Sequence, residues 1–465
     1  GGGGEWRVEK QRLRWDVLDA FAQAAQQAGI PATSDFNTGD NEGVGYFEVN
    51  QKAGWRWNAS KAFLRPVMQR ANLTVWTETI TERLVLQRDA GGALRCTGVE
   101  LRRQGQRVQV QAAQEVVLSA GSIGSPAILQ RSGIGPAAVL QQQGIAVQHE
   151  LAGVGENLQD HLQIRAVFKV QGATTLNVLA SSLWGKAMIG LEYALKRSGP
   201  MSMAPSQLGA FTRSDPAQPH PNLEYHVQPL SLEAFGEPLH NFPAFTASVC
   251  NLNPSSRGTV QIKSANFQDA PAIAPNYLST PDDRQVAADS LRLTRRIVGQ
   301  SALAKYRPQE IKPGVQYQSD EDLARLAGDI ATTIFHPVGS CKMGRDDDAM
   351  AVVDARLRVH GVAGLRVTVG SSSRLFLKIC DLMRNCRTSA SLLILETMRL
   401  TTVSAKWVFS STCLHTCGVH SSANCACTWR RTNAAPPILF NTIRSVSSRP
   451  LRSKRRSKPL AMTLA

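Results

Sequence analysis

The sequence predicts an α/β protein with a second domain of α+β type, on three observations. Residues 11–28 carry apolar side chains at helical spacing. Residues 73–119 alternate apolar and polar in the manner of strands. Strand-like and helical stretches then alternate from 166 to 310.

Leu13, Val17, Leu18, Phe21, Ala24 and Ala25 recur at three- and four-residue steps, and Gly29 with Pro31 ends that helix. A polar loop follows at 34–41, then a short helix at 59–64 closed by Pro66. Strands are expected at 73–77, 82–87, 98–102 and 107–111, parted by Asp89-Ala90-Gly91-Gly92 and Gln104-Gly105-Gln106, as an antiparallel meander. It ends in Glu115-Val116-Val117-Leu118-Ser119, apolar enough for a buried parallel strand. That strand enters Ala120-Gly121-Ser122-Ile123-Gly124-Ser125-Pro126, where Ser125 is placed to cap a helix and Pro126 to open it. Strand, glycine turn and helix start suit an anion or a dinucleotide, and equally an ordinary tight turn. Later strands are expected at 166–170, 223–228, 244–252 and 259–263, and a helix at 281–299 with Thr280 or Ser279 as cap.

At 465 residues, 43% apolar and 19% charged, the chain has the composition of an ordinary folded protein of two or three domains. No stretch approaches the apolar length of a membrane span. The net charge of +16 suggests nucleic acid, yet its distribution argues otherwise. Residues 368–465 hold 15 Lys and Arg against Asp381 and Glu396, while the first 367 residues carry 37 basic and 34 acidic groups. Six of nine cysteines share that last stretch. The widely spaced Cys96, Cys250 and Cys341 suit a reducing compartment. A cytoplasmic location, extending to peripheral contact with an inner membrane, is expected. The start, Gly1-Gly2-Gly3-Gly4-Glu5-Trp6, reads as the middle of a longer protein.

The candidate for chemistry is His336, in Phe335-His336-Pro337-Val338-Gly339-Ser340-Cys341-Lys342-Met343-Gly344. Proline disfavours the helical region for the residue before it, so the imidazole is presented from a strand end or loop. Histidine titrates near neutrality and suits a general base. A structural histidine fits the same local pattern.

Taken together, several segments resemble the glucose–methanol–choline (GMC) family of FAD-dependent oxidoreductases, nearest to choline dehydrogenase-like members. Gly121 to Gly135, reading GSIGSPAILQRSGIG, looks like the family's second signature. Gly153-Val154-Gly155-Glu156-Asn157-Leu158-Gln159-Asp160-His161 resembles the crossing into its substrate domain, and Asn253–Gly258 and Pro275–Leu278 resemble later landmarks. The segment around His336 resembles the family's active-site histidine. The resemblance runs from about Gly3 to Val367. It implies an incomplete FAD-binding Rossmann-like domain joined to an α+β substrate-binding domain, and hydride transfer from a primary alcohol, choline-like or aliphatic, to FAD. It makes His336 the proton acceptor, lays Ala120 and Gly121 against the FAD, and puts Thr81 where the family contacts adenine through its backbone.

The implied divisions are 1–160, a partial FAD-binding domain; 161–345, the substrate-binding domain; 346–367, the returning FAD-domain chain; and 368–465, an aberrant tail. Two departures stand out. The G-x-G-x-x-G fingerprint that seats a pyrophosphate is absent from the sequence. After Val367 the family's Asp-Ala turn and Asn-rich loop give way to Thr368-Val369-Gly370-Ser371, as a reading-frame shift would produce. An inactive fragment of the family is therefore a second reading, and nucleic-acid binding through the basic tail a third. A metal site from Cys413, Cys417, Cys425 and Cys427 with His415 or His420 matches no strong zinc spacing, and no metal is expected. Tyr225, Phe235, Phe242 and Phe245 suit either a quaternary ammonium pocket or core packing. The electron acceptor is not specified.

Overall fold

Helix α1 (Asp16–Gln27) opens the fold and buries the apolar stripe read from the sequence, Val17, Leu18, Phe21, Ala24 and Ala25. Strand β1 (Gly43–Tyr46) follows, then the meander β2 (Thr79–Arg88), β3 (Leu94–Arg103) and β4 (Gln106–Gln111), and the buried β5 (Glu115–Leu118). Helix α2 (Gly121–Arg131) leaves β5 directly. Next come β6 (Leu162–Lys169), β7 (Leu208–Thr212), β8 (Leu223–Gln228), β9 (Ala244–Asn251) and helix α3 (Pro281–Val298). Strand β10 (Gln309–Lys312), helix α4 (Asp320–Ile330), β11 (Ala331–Thr333), β12 (Val362–Ala363), β13 (Leu365–Val367) and β14 (Ser391–Ile394) complete the principal elements. The computed structural model describes residues 4–234 and 236–368, and the backbone of β14.

Seven strands form the larger sheet, in the order β10-β6-β9-β8-β7-β1, with β11 also on β6. Every pairing in it is antiparallel. The two-residue period of a strand sorts β8 cleanly: Leu223, Tyr225 and Val227 face the main core with α1, α3 and α4, while Glu224, His226 and Gln228 face the other way. Residues 16–27 and 43–46, expected in the first domain, thus pack with this sheet, because the stripe of α1 finds its apolar partner there. Helix α3 matches expectation, with the Thr280 side chain accepting from the Asp283 N–H and Pro281 in the first turn.

The meander pairs β2 with β3 and β3 with β4, and β12 adds to β3 in parallel. The expected strand at 73–77 does not form. Strand β3 ends at Arg103, whose partner is Thr79, so the chain before Thr79 has no strand to pair with. Strand β5 is flanked by β13 and β14, both parallel to it.

Helix α2 departs from expectation in an informative way. It begins at Gly121, so Ser125 and Pro126 lie inside it. Gly121, at φ +74°, takes the left-handed turn that lets the helix start immediately after β5. Ser125 Oγ accepts from the Ala120 N–H at 3.1 Å. Pro126 has no N–H to offer the carbonyl of Ser122 four residues back. That carbonyl is free for a partner from elsewhere in the chain. Near the other end of the helix, the fully buried Gln130 bonds the carbonyls of Val154 (3.1 Å) and Val260 (3.0 Å) and the N–H of Ile262 (2.9 Å). One side chain therefore pins α2 to two later segments.

Gln130→Leu keeps the volume of this side chain but leaves three buried backbone groups unpaired. Unfolding in urea is expected to show a loss of at least about 3 kcal/mol, from roughly 1–3 kcal/mol for each of the unsatisfied groups. A loss below about 1 kcal/mol would show that the clamp is not needed.

Candidate active site around His336

His336 follows β11 in a loop whose backbone is tightly held. Its N–H donates to Asp160 Oδ1 at 3.0 Å. Asp160 is buried, and its Oδ2 accepts from the hydroxyls of Tyr277 and Thr333. The phenol of Tyr277 is pushed well above its ordinary pKa, first by burial and then by the neighbouring Asp160 carboxylate. It therefore remains a donor. One carboxylate collects three donors, one from the histidine loop and one from the end of β11 that leads into it.

The loop is also tied to α2. Ser122 Oγ donates to the Pro337 carbonyl at 2.6 Å, and Ser340 Oγ donates to the Ser122 carbonyl at 2.5 Å. The second bond satisfies the carbonyl that Pro126 leaves without its helical partner. The Gly155 N–H bonds the Ser340 carbonyl at 2.8 Å. Gly339, at φ +89°, lies so close to Asn157 that a Cβ would stand 2.6 Å from the Asn157 carbonyl oxygen. Glycine is required there by both backbone angle and space.

The imidazole of His336 meets that of His161, with the two Nδ1 atoms 3.4 Å apart and the rings at 73°. Nε2 of His161 lies 3.2 Å from the Leu252 carbonyl. One ring nitrogen of His161, one carboxylate oxygen of Glu224 and the Cys250 sulfur lie within 4.8 Å of one another. Burial, with help from Glu224 and Asp160, holds the Cys250 thiol well above its ordinary pKa, and it contacts the Glu224 carbonyl at 3.7 Å as a thiol. His226 Nε2 lies 3.1 Å from Glu224 Oε1 without the alignment of a hydrogen bond. Arg165, on β6, is buried on the same polar side of the sheet, and desolvation lowers its pKa to about 10. In register, Arg165 pairs with Ser248 and Ser248 with His226; Gln163 pairs with Cys250 and Cys250 with Glu224. These two rows form a buried polar surface extending from His161.

Of the residues singled out in the sequence, Ala120 and Gly121 lie at the start of α2, the same turn that Ser122 ties to the His336 loop. Among the described residues, no atom beyond its own chain neighbours and helix backbone lies within 4 Å of where a Cβ on Gly121 would sit, so the backbone there borders open space among them. Nearby, at the ends of the parallel β5 and β13, Thr368 donates its N–H to Leu118 at 2.9 Å. Its buried Oγ1 has no hydrogen-bond partner among the described residues. Thr81 lies in β2 by the opposite end of α2, where Arg131 reaches the carbonyls of Thr81 (3.5 Å) and Glu82 (3.0 Å). The helix is about 16 Å long at 1.5 Å per residue, so Thr81 and Gly121 are held apart. Tyr225 and Phe245 belong to the main core, and Phe242 stacks on His240. Phe235 and the cysteine-rich tail lie outside the described residues. Among those described, no helix is long and apolar enough to cross a membrane. The sequence reading missed Asp160, His161, Ser122 and Ser340 as site residues. All four lie within the segments already marked, but the contacts span large separations and carry no local signal.

The chain belongs to the GMC oxidoreductase family. Its profiles match residues 6–163 and 254–373, both as GMC oxidoreductase. The chain is 37% identical over 371 residues to the mitochondrial choline dehydrogenase of Mus musculus, covering 80% of this chain and 61% of that relative. It is 36% identical to the alcohol dehydrogenase [acceptor] of Pseudomonas putida, covering 79% of this chain and 66% of that one. The pyridoxine 4-oxidase of Mesorbium loti superposes with a TM-score of 0.69 at 28% identity, over 80% of this chain and 68% of that structure. The chain thus spans about 61% of the length of the choline dehydrogenases it matches.

Ser340→Ala removes the only described bond to the Ser122 carbonyl and should cost about 1–3 kcal/mol in urea unfolding. Ser340→Thr, which keeps the hydroxyl, should recover at least half of that loss. In native protein, alkylation mapped by mass spectrometry should spare Cys96, Cys250 and Cys341, which are buried and have raised pKa values. Rapid labelling of any of the three before unfolding would contradict this packing.

Proposed function

We propose that this polypeptide carries the alcohol-oxidising centre of an FAD-dependent oxidoreductase acting on the CH–OH group of a primary alcohol, with His336 as proton acceptor. The observation that carries the reading is the joining of the His336 loop to the N-terminal turn of α2 by the paired Ser122 and Ser340 bonds. A base and a glycine-bordered opening are thereby held by one rigid connection.

The residues present fit part of a flavin dinucleotide. The left-handed Gly121 admits a planar group against the backbone, and Thr368 Oγ1 at the strand ends, without a partner among the described residues, offers a hydrogen bond. Ala120 and Gly121 are assigned to the flavin side, and Thr81 to the adenine side at the far end of α2. When bound, FAD would supply a two-electron acceptor for the hydride of the carbinol carbon. The task of His336 is to take the hydroxyl proton, because an alkoxide gives up hydride far more readily than an alcohol. Asp160 holds the backbone of the base, and the buried rows bearing Arg165, Glu224 and His226 are the surface offered to the rest of the substrate. With Arg165 and Glu224 both on that surface, its charges oppose one another. A neutral aliphatic alcohol suits it better than a quaternary ammonium such as choline.

Adding FAD to purified protein should produce a bound flavin absorbance that survives gel filtration. Anaerobic addition of a primary alcohol should then bleach it. His336→Asn should slow the bleaching by roughly 10²–10⁴-fold, the usual contribution of a positioned base, with flavin retention unchanged. A chain that retains no flavin would favour the reading of an inactive fragment. Faster bleaching by choline than by aliphatic alcohols would overturn the substrate preference.

A further inference from the structure

The geometry points to His161 as the residue that fixes the tautomer of His336, so that Nε2 of His336 carries the lone pair. This rests on the reading of His336 as a base but concerns which of its ring nitrogens holds the proton and which residue decides that.

A neutral imidazole has one N–H and one lone pair, on different nitrogens. Nε2 of His161 lies 3.2 Å from the Leu252 carbonyl, and a carbonyl can only accept. In a neutral ring the proton of His161 must therefore be on Nε2; the alternative sets two lone pairs against each other. Its Nδ1 is then an acceptor. That atom lies 3.4 Å from Nδ1 of His336, which must supply the proton of this contact. The proton of His336 is thus on Nδ1, and its lone pair is on Nε2. The chain of consequence runs from a β9-end carbonyl, through His161, to the base.

His161 is well placed for this role. It directly follows Asp160, whose Oδ1 accepts the N–H of His336, so one dipeptide holds both the backbone and the ring of His336. The Ile334 N–H also reaches the His161 carbonyl, at 3.4 Å. When a substrate hydroxyl gives its proton to Nε2, His336 becomes an imidazolium and its N–Hδ1 bond to His161 becomes charge-assisted. His161 exchanges no proton in that step. It is a positioning residue and not a catalytic one.

The test is ¹⁵N NMR of histidine-labelled protein, with the His336 and His161 signals identified by substitution. Near neutral pH, His336 should show a protonated Nδ1 and an unprotonated Nε2, and His161 the reverse. A doubly protonated His161, or a His336 protonated on Nε2, would overturn the proposal. His161→Asn keeps an acceptor near the Nδ1 position and should preserve the His336 tautomer. His161→Leu, checked for folding by circular dichroism, should give a mixture of His336 tautomers. In flavin-loaded protein, His161→Leu should slow the reductive step at least tenfold without a matching change in substrate affinity, and His161→Asn should recover most of that rate. Equal rates in all three proteins would also overturn it. The tautomer is read without turnover, so correct tautomers in a protein that oxidises no alcohol would uphold this inference while the proposed function fails.

Discussion

The site depends on a carbonyl that its own helix cannot satisfy. Pro126 removes the N–H that should meet the oxygen of Ser122, and Ser340, from a segment more than two hundred residues later, provides the replacement. The Ser122 hydroxyl returns a bond to Pro337. A proline inside a helix ordinarily weakens it. Here the vacancy becomes an attachment point, and the loop bearing His336 cannot shift relative to the start of α2 without exposing a buried polar group. The rigidity expected of a base is thus supplied by ordinary backbone accounting.

A second constraint acts at the other end of the same loop. Asp160 gathers the His336 N–H and the hydroxyls of Tyr277 and Thr333, so the entry to β6, the end of β11 with its loop, and the approach to α3 meet at one carboxylate. The histidine that follows it meets the imidazole of His336. Asp160 and His161 thereby join the two parts of the fold at the point where chemistry is proposed. The larger sheet extends this arrangement outward. Its apolar side is filled by α1, α3 and α4, and its polar side, bearing Arg165, Glu224 and His226, is buried too.

Much of this was open to inspection in the chain. The α1 stripe, the β2–β4 meander, the apolar β5, the alternation of β8 and the capped α3 all follow from short-range pattern, because each element's burial repeats at its own period. His336, Ala120 and Gly121 could be marked because their surroundings are contiguous: a histidine before proline, and a strand running into glycines. The stretch 73–77, expected as a strand, shows where local pattern is not enough. Its alternation was adequate, but pairing needs a neighbour, and β3 had already ended.

What the amino-acid order determined, then, was the helix α1, the β2–β4 meander, β5, β8 and the capped α3, together with the family and the candidate base. Folding in three dimensions decided the rest: that α2 begins before its proline, that Ser340 completes it, that α1 joins the far sheet, and that Asp160 and His161 hold the two ends of His336. The reason is physical. A period is a property of neighbours along the chain, whereas a hydrogen bond between Ser122 and Ser340, or between two imidazoles, exists only when distant segments are brought within about 3 Å of each other.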